Sequence, residues 1–511
     1  MKYAANIVLI FVCFFAGFSA RDSNIRARAI HADEAEQATT AMLLRDSGKY
    51  EYNPNGPHGP TLYYWANAVK MPDSQTASIA DFRRSLAPVG VLVLAALIMS
   101  GMYVGSGAAW AAAACFSMTA MGQIYSGYFV HEIIFALAVF AAALAAWRFA
   151  CAPAAATALI AGLFVGLSQA TKETAVISYA AMGISFCVCA ALEKNIRDNL
   201  KYALFSANAF KFGAAFLCGF ALVAVLFYSS FGSNWRGVLD AVKSYAHFFD
   251  KSQSQAFASD FFYYFKLLTL QKSEGVWFGE LPLSLLSVGG FAYALWRRAK
   301  YPWKCTFAIF AFLNAFSAVL ILSFIKYKTP WLLLSPVVFL CVPAGFAVAS
   351  LLKDKKTLLL ISAYAAIAAL GFWQYRLSGS AVAKYHSDPR NPFIYSHTVR
   401  DFSNLVSRIE TAAKYSEYEN DIPVAFIMKE SPWPAPFNLR RFRNAGFWSG
   451  GQMPNDISIF DVVVCDYATE KNVEKLLDTS KYEREFYGLR KNLVLTLFIK
   501  KEIFDKIVNR Q

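Results

Sequence analysis

The chain is short of charge and has no paired cysteines, and each shortage removes a class of protein. Asp, Glu, Lys and Arg make up only 16% of its 511 residues, against 57% hydrophobic and 16% aromatic, which is not the balance of a water-soluble protein. Disorder and collagen-like repeats fall with it, because 45 Phe and 26 Tyr cannot stay solvated and no short period recurs. Nine cysteines are scattered singly, with no CxxC pair and no Cys/His cluster of metal spacing, so neither a disulfide scaffold nor a zinc site is expected. Cys187 and Cys189, two apart on a helix, cannot face each other and read as packing residues. GxGxxG, a Walker loop and HExxH are absent too, so nucleotide-sugar donors and metalloprotease chemistry lack support. What remains is an α-helical polytopic membrane protein.

A bilayer core of about 30 Å takes around 20 apolar residues per helix. About eleven such runs are present: 3–20, 85–105, 107–124, 133–150, 154–170, 174–192, 212–231, 281–296, 305–325, 331–351 and 357–374. Several are joined by only a few residues and must be antiparallel neighbours. With the N-terminus inside, the inner segments hold Lys2, Arg148, Lys194, Arg197, Lys201, Lys211, Arg297, Arg298, Lys300, Lys304, Lys353, Lys355 and Lys356, opposed only by Glu193, Asp198 and Asp354. The reverse orientation violates the positive-inside rule, so a multi-pass inner-membrane protein, N-in and C-out, is expected. The net charge of +14 is then mostly topogenic rather than a nucleic-acid footprint. Phe18 makes a poor processing position before Ala20, so the first helix is expected to be retained.

Two domains follow. Residues 1–380 form the membrane domain, with a first external loop at 21–84 and another at 232–280 too polar to span and suited to the interface. The first loop predicts a short helix from Asp33 to Leu44, then a break over Tyr50–Pro60. Residues 381–511 turn charged and nearly balanced in sign; strand-like runs Ile422–Met428, Asp461–Cys465 and Leu493–Lys500 alternate with helical patterns, predicting a small extracytoplasmic α/β domain. Arg440, Arg441 and Arg443 read there as a solvated basic face.

Four charged clusters map to the outer side, although orientation rests on other residues. Charge at membrane depth is costly and is either functional or interfacial. The first, His31-Ala-Asp33-Glu34-Ala-Glu36, either caps the following helix or positions a general base. Another, ending at His131-Glu132, is either a solvated turn or faces Asp33 across the outer opening. Lys172-Glu173 either neutralises itself and snorkels or binds a phosphate through the lysine. Lys326-Tyr327-Lys328-Thr329-Pro330-Trp331 either anchors at the headgroups or adds cations to the same cavity. Together they outline an outward cavity with acid, cations and aromatic faces, which fits a lipid-phosphate donor.

His31-Ala-Asp33-Glu34-Ala, followed by His58-Gly59-Pro60-Thr-Leu62-Tyr63-Tyr64, resembles the first external loop of the GT-C glycosyltransferases of the protein O-mannosyltransferase and aminoarabinose transferase group. The likeness is to its prokaryotic "flippase activity-associated" subfamily. Thr171-Lys172-Glu173-Thr174, Tyr327-Lys328-Thr329-Pro330-Trp331, Tyr395-Ser-His397-Thr and Glu430-Ser431-Pro432-Trp433-Pro434 resemble its recurring segments, so nearly the whole chain is covered. The resemblance implies a GT-C-like fold and inverting transfer of a hexosyl or pentosyl group from a polyprenyl-phosphate donor to a glycan, lipid or protein acceptor at the external face. It carries the catalytic carboxylate to Asp33, with Glu34 beside it; Glu132 in the second turn keeps carboxylate chemistry, and the leaving phosphate is expected to meet Lys172 and Lys328, with Lys326 in reserve. Glu173, Trp331, His58, Tyr63, Tyr64 and His247 complete the expected substrate site. His131-Glu132 departs from the family, where an Arg or Asn beside an Asp is common; this leaves open a divalent ion, Mg or Mn, at Asp33 and Glu132, and no other cofactor is expected.

Two further readings use the same ligand: a lipid-linked sugar flippase, and a non-catalytic accessory protein of glycan assembly. A flippase calls for polar mid-membrane residues and paired broken helices, whereas these runs are nearly charge-free at their centres.

Overall fold

A computed structural model of the chain describes residues 2–56, 58–69, 71–252, 258–353 and 356–509. Each of the eleven apolar runs is helical, and eight helices are long and apolar enough to cross a membrane among the described residues. The remaining three, Ser106–Met118, Ala155–Thr171 and Leu281–Arg297, are shorter. Chain reversals are local: Gly105, at φ 94°, turns the chain between Gly101–Val104 and Ser106–Met118, a conformation closed to most L-residues. Pro302 opens Pro302–Phe324, where its missing N–H costs nothing. Helices Ala155–Thr171 and Ala209–Tyr228 pack backbone to backbone. A Cβ at Gly162 would fall 2.0 Å from the Phe216 carbonyl oxygen, and one at Gly219 would fall 2.3 Å from that of Leu159. Small residues permit such approach where lipid supplies no hydrophobic drive.

The loop at 21–84 contains three short helices, Ala32–Ser47, Thr61–Ala68 and Ile79–Ser85. The expected helix, Asp33–Leu44, is found one residue longer at its start and three at its end, because His31 caps it and Gly48 closes it in the left-handed region at φ 66°. The loop at 232–280 contains helix Arg236–Ser252 and a hairpin of β1 (Gln271–Ser273) and β2 (Val276–Phe278).

A five-stranded sheet follows, from β3 (Val424–Ile427), β4 (Ala445–Trp448), β5 (Val462–Asp466), β6 (Tyr482–Arg490) and β7 (Leu493–Lys500). Its order is β4-β3-β5-β7-β6, with β3 parallel to β4 and β5, and β7 antiparallel to β5 and β6. Alternation sorts the central strands between two cores: Val424, Phe426, Val462 and Val464 pack against Leu405 and Ile409 of helix Asp401–Tyr415, while Ala425, Ile427, Val463 and Cys465 face Ile457 and Val473. The three expected strands are β3, β5 and β7. Missed were the two edges: half-buried β4, and β6, whose Tyr-Glu-Arg-Glu-Phe-Tyr pattern hides a strand among charges suited to an edge.

Candidate active site

The helix Ala32–Ser47 divides its two leading carboxylates. His31 caps it, accepting from the Asp33 N–H through Nδ1 at 3.0 Å, so Nε2 carries the proton and donates to the Tyr395 carbonyl at 2.9 Å. Glu34 closes the capping box from the other side and points into the protein. Arg28 donates to its two oxygens at 3.2 and 3.1 Å, Arg83 at 2.9 and 2.6 Å, and the Phe129 N–H at 3.0 Å. Burial alone would raise this carboxyl, but the Arg28 and Arg83 guanidinium groups hold it down to about 2. The expectation of Glu34 as a second catalytic acid is therefore corrected: every oxygen is engaged, and it lines no cavity. Asp33, one residue earlier, keeps 36% of its side chain exposed, and its Oδ2 accepts from the Tyr395 hydroxyl at 3.2 Å.

Asp33 stands on the wall of a cavity of about 660 Å³. Glu132, Lys172, Glu173, His58 and Trp331 line it too, so these expected residues are brought together from four separate loops. Glu132 and Lys172 form a buried ion pair. Glu173 accepts from the Tyr52 hydroxyl at 2.9 Å and meets His58 Nδ1 at 3.0 Å; burial pushes its carboxyl up. His58 holds a left-handed backbone at φ 50° and stacks on Phe248 at 5.3 Å, a strained conformation of the kind that collects at functional sites. His131 donates from Nε2 to the Gly59 carbonyl at 2.8 Å, and its Nδ1 has no partner among the described residues. Burial holds this ring well below its ordinary value, hence neutral. Beside Asp33, Trp331 and Tyr395 meet edge-on at 4.6 Å, with the His31 ring 5.4 Å from Tyr395, and together they form an aromatic face.

Other expected site residues lie elsewhere. Lys328 lines no cavity wall; its ammonium turns back to the Ser259 and Ile325 carbonyls. Lys326 is exposed outside the cavity, and His247 sits beside it without lining it, leaving Phe248 and Tyr245 of its helix to do so. Tyr63 is buried behind the wall, donating to Gln37 at 2.5 Å, and Tyr64 packs on Phe231 at 4.8 Å. These positions differ from expectation because neighbours on a helix or turn point different ways, a distinction linear proximity does not carry.

The cavity also holds residues not expected as ligands. Tyr395, Ser431 and Trp433 line it, and their segments had been marked only as recurring motifs. Arg490 closes the wall from the end of β6, donating to the Trp433 carbonyl at 2.8 Å, with Nε unpartnered among the described residues. No sequence signal distinguished it from the other arginines of the domain. A divalent ion at Asp33 and Glu132 does not fit: Glu132 is neutralised by Lys172, and no group of three His, Cys, Asp or Glu with metal-holding geometry occurs among the described residues.

No family model and no curated protein matches the chain. Solved structures do. ArnT from Cupriavidus metallidurans, bound to undecaprenyl phosphate, aligns with a TM-score of 0.63 at 12% identity, over 96% of this chain and 97% of that one. The archaeal oligosaccharyltransferase AglB from Archaeoglobus fulgidus, with an inhibitory peptide and a dolichol-phosphate, aligns at 0.52 and 13% identity, over 96% and 74%. An Archaeoglobus fulgidus oligosaccharyltransferase in complex with Zn and sulfate gives 0.53 at 14%, over 94% and 73%. The chain thus has a GT-C-like fold: a helical membrane domain with a small C-terminal α/β region.

Proposed function

We propose that the chain is an inverting glycosyltransferase that moves a sugar from a polyprenyl-phosphate donor to an acceptor hydroxyl at the external membrane face, with Asp33 as general base. The reading rests chiefly on one observation: Asp33 stands partly exposed on the wall of a cavity beside an aromatic face, while both oxygens of its neighbour Glu34 are held by arginines. The bound undecaprenyl phosphate of ArnT and dolichol-phosphate of AglB support the donor class. In this mechanism the acceptor oxygen attacks C1, and its proton passes to the Asp33 carboxylate. The bond between C1 and the phosphate oxygen breaks, and its electron pair leaves with the polyprenyl phosphate. Lys172 and Arg490 are the lysine and arginine lining the cavity, and they face the developing negative charge. Tyr395 orients Asp33 through its hydroxyl, and the Trp331–Tyr395 face holds the sugar ring. N-in orientation, an inner-membrane location, the boundary near residue 380 and the "flippase activity-associated" subfamily belong to the same reading.

Purified protein given a radiolabelled polyprenyl-phosphate sugar and membrane extract as acceptor source is expected to release polyprenyl phosphate. Unchanged release by Asp33→Asn would remove Asp33 as the base; movement of the lipid-sugar across vesicles without acceptor would favour a flippase instead.

A further inference from the structure

The helix Lys194–Phe205 lies at the membrane face opposite the active site. It joins two spans: Ala175–Leu192, which starts two residues after Glu173 of the cavity, and Ala209–Tyr228, whose end returns to the cavity side, where the Tyr228 hydroxyl donates to the Gln169 carbonyl at 2.7 Å. The 18 residues of the first span, at about 1.5 Å each, carry it about 27 Å, close to the thickness of a bilayer core. The joining helix is seated across the ends of its neighbours. Asn199 donates to the Ala150 and Cys151 carbonyls at 3.0 and 2.8 Å, at the end of Glu132–Cys151, and Ala203 packs with Ala158 and Phe212.

Its outward surface has two parts. Lys194, Arg197 and Lys201, spaced three and four apart, share one flank, and Lys211 stands beyond the turn at the start of the next span. None of the four makes a side-chain hydrogen bond or ion pair among the described residues, although Glu193 and Asp198 lie in the same stretch. Beside these cations, Phe205 and Phe210 are 83% and 86% exposed, the two highest values of any large apolar side chain among the described residues, and Leu204 is 67% exposed. Phe210 also heads an exposed row at helical spacing, Ala214, Leu217 and Ala221, so the apolar tip runs on into the lipid-facing side of Ala209–Tyr228. Apolar surface of this size is costly in water. Collared by unpaired cations, it has the composition of a segment that sinks its apolar side chains below the headgroups and keeps its charges among them.

We propose that the stretch Lys194–Lys211 is a docking surface for anionic glycerophospholipid in the leaflet opposite the active site. Lys194, Arg197, Lys201 and Lys211 meet the lipid phosphates, while Leu204, Phe205 and Phe210 enter the acyl region beneath. Charge complementarity sets the occupant: a zwitterionic headgroup brings its own cation to the collar, whereas phosphatidylglycerol brings none. A second copy docking through the same patch would set these four cations against four more. The proposal does not depend on the catalytic reading.

Electron spin resonance tests it, with trace nitroxide-labelled phosphatidylglycerol or phosphatidylcholine in dioleoyl phosphatidylcholine vesicles containing the full chain. The spectrum reads how much of each lipid is held at the protein, and phosphatidylglycerol is expected to be favoured about twofold or more. Lys194→Gln/Arg197→Gln/Lys201→Gln/Lys211→Gln should remove at least half of that preference, and Phe205→Ser/Phe210→Ser should lower it too. Hydrogen exchange of the unaltered chain needs no variant. Amides of residues 194–211 should exchange about threefold more slowly in nanodiscs holding about 30% phosphatidylglycerol than in phosphatidylcholine alone. Equal holding of the two lipids by the unaltered protein, a preference that either variant leaves unchanged, or equal exchange in the two nanodiscs overturns the proposal. So does a dimer of the unaltered protein that Phe205→Ser/Phe210→Ser converts to a monomer, which would assign the surface to a second copy.

Discussion

The helix Ala32–Ser47 begins between a dry clamp and a cavity; both are built on carboxylates from one short stretch of chain. In the clamp, Glu34 is fully buried and divided between Arg28 and Arg83, and Arg83 also donates to the Ile25, Arg28 and Ala29 carbonyls, tying the loop to the first helix. In the cavity, Asp33 keeps a third of its surface and one hydroxyl partner. A carboxylate whose oxygens are all taken cannot accept a proton from a substrate, whereas one partly exposed on a cavity wall can. On the proposed mechanism the adjacent acids divide the labour: one fixes the loop, and the fixed loop aims the other.

The largest expected effect tests the cavity side. Asp33→Asn should lower turnover by about 10²–10⁴-fold, the range for loss of a general base, measured as released polyprenyl phosphate, with the unfolding temperature in detergent unchanged. Glu34→Gln should show the opposite pattern. Removing one partner from a buried ion network leaves uncompensated charge and costs about 3–5 kcal/mol of stability, read by thermal or denaturant unfolding. If Asp33→Asn unfolds the protein while Glu34→Gln merely slows it, the division is inverted. The clamp should also resist acid. Its carboxyl is held at about 2, so its contribution is present above the unfolded value of about 4.3 and is lost only as pH falls through that window.

Much of this was legible in sequence, and the limits have physical reasons. Apolar runs are long signals, and all eleven became helices. The central strands of the C-terminal sheet are buried on both faces and read as apolar runs, while β6 at the edge did not. In the site, Asp33, Glu132, Lys172, Glu173, His58 and Trp331 reached one cavity because loops at one end of a helical bundle converge. Direction was not legible. Lys328 sits three residues from Trp331 yet turns to backbone carbonyls, and Glu34 turns inward because Arg83, 49 residues on, is there to meet it. Arg490 comes from a separate sheet, and no local pattern could have joined it to the first loop.

The Glu132–Lys172 pair falls between the two regions, buried like the clamp but lining the cavity. Glu132→Gln should cost about 1–3 kcal/mol, less than Glu34→Gln, because Lys172 can take cavity water as a replacement. The double variant Glu132→Gln/Lys172→Met should recover most of that stability while still binding donor more weakly. Equal costs for Glu132→Gln and Glu34→Gln would show the cavity wall to be as dry as the clamp.

Glu173 supplies the smallest contrast, and one opposite in sign to Glu34. Burial raises its carboxyl above the ordinary value despite the Tyr52 hydroxyl. A folded-state value above the unfolded one means that the protonated form stabilises the fold. That contribution is complete below about 4.3 and declines as pH rises through the raised value. Glu173→Gln keeps an oxygen for Tyr52 and never ionises. It should therefore match the unaltered protein to within about 1 kcal/mol at low pH, then gain on it as pH rises, checked by unfolding temperatures of the two across pH 4–8. A Gln variant that loses ground with rising pH would mean that the ionised carboxylate is the form the fold prefers, with His58 bound to it as a cation rather than as a neutral ring.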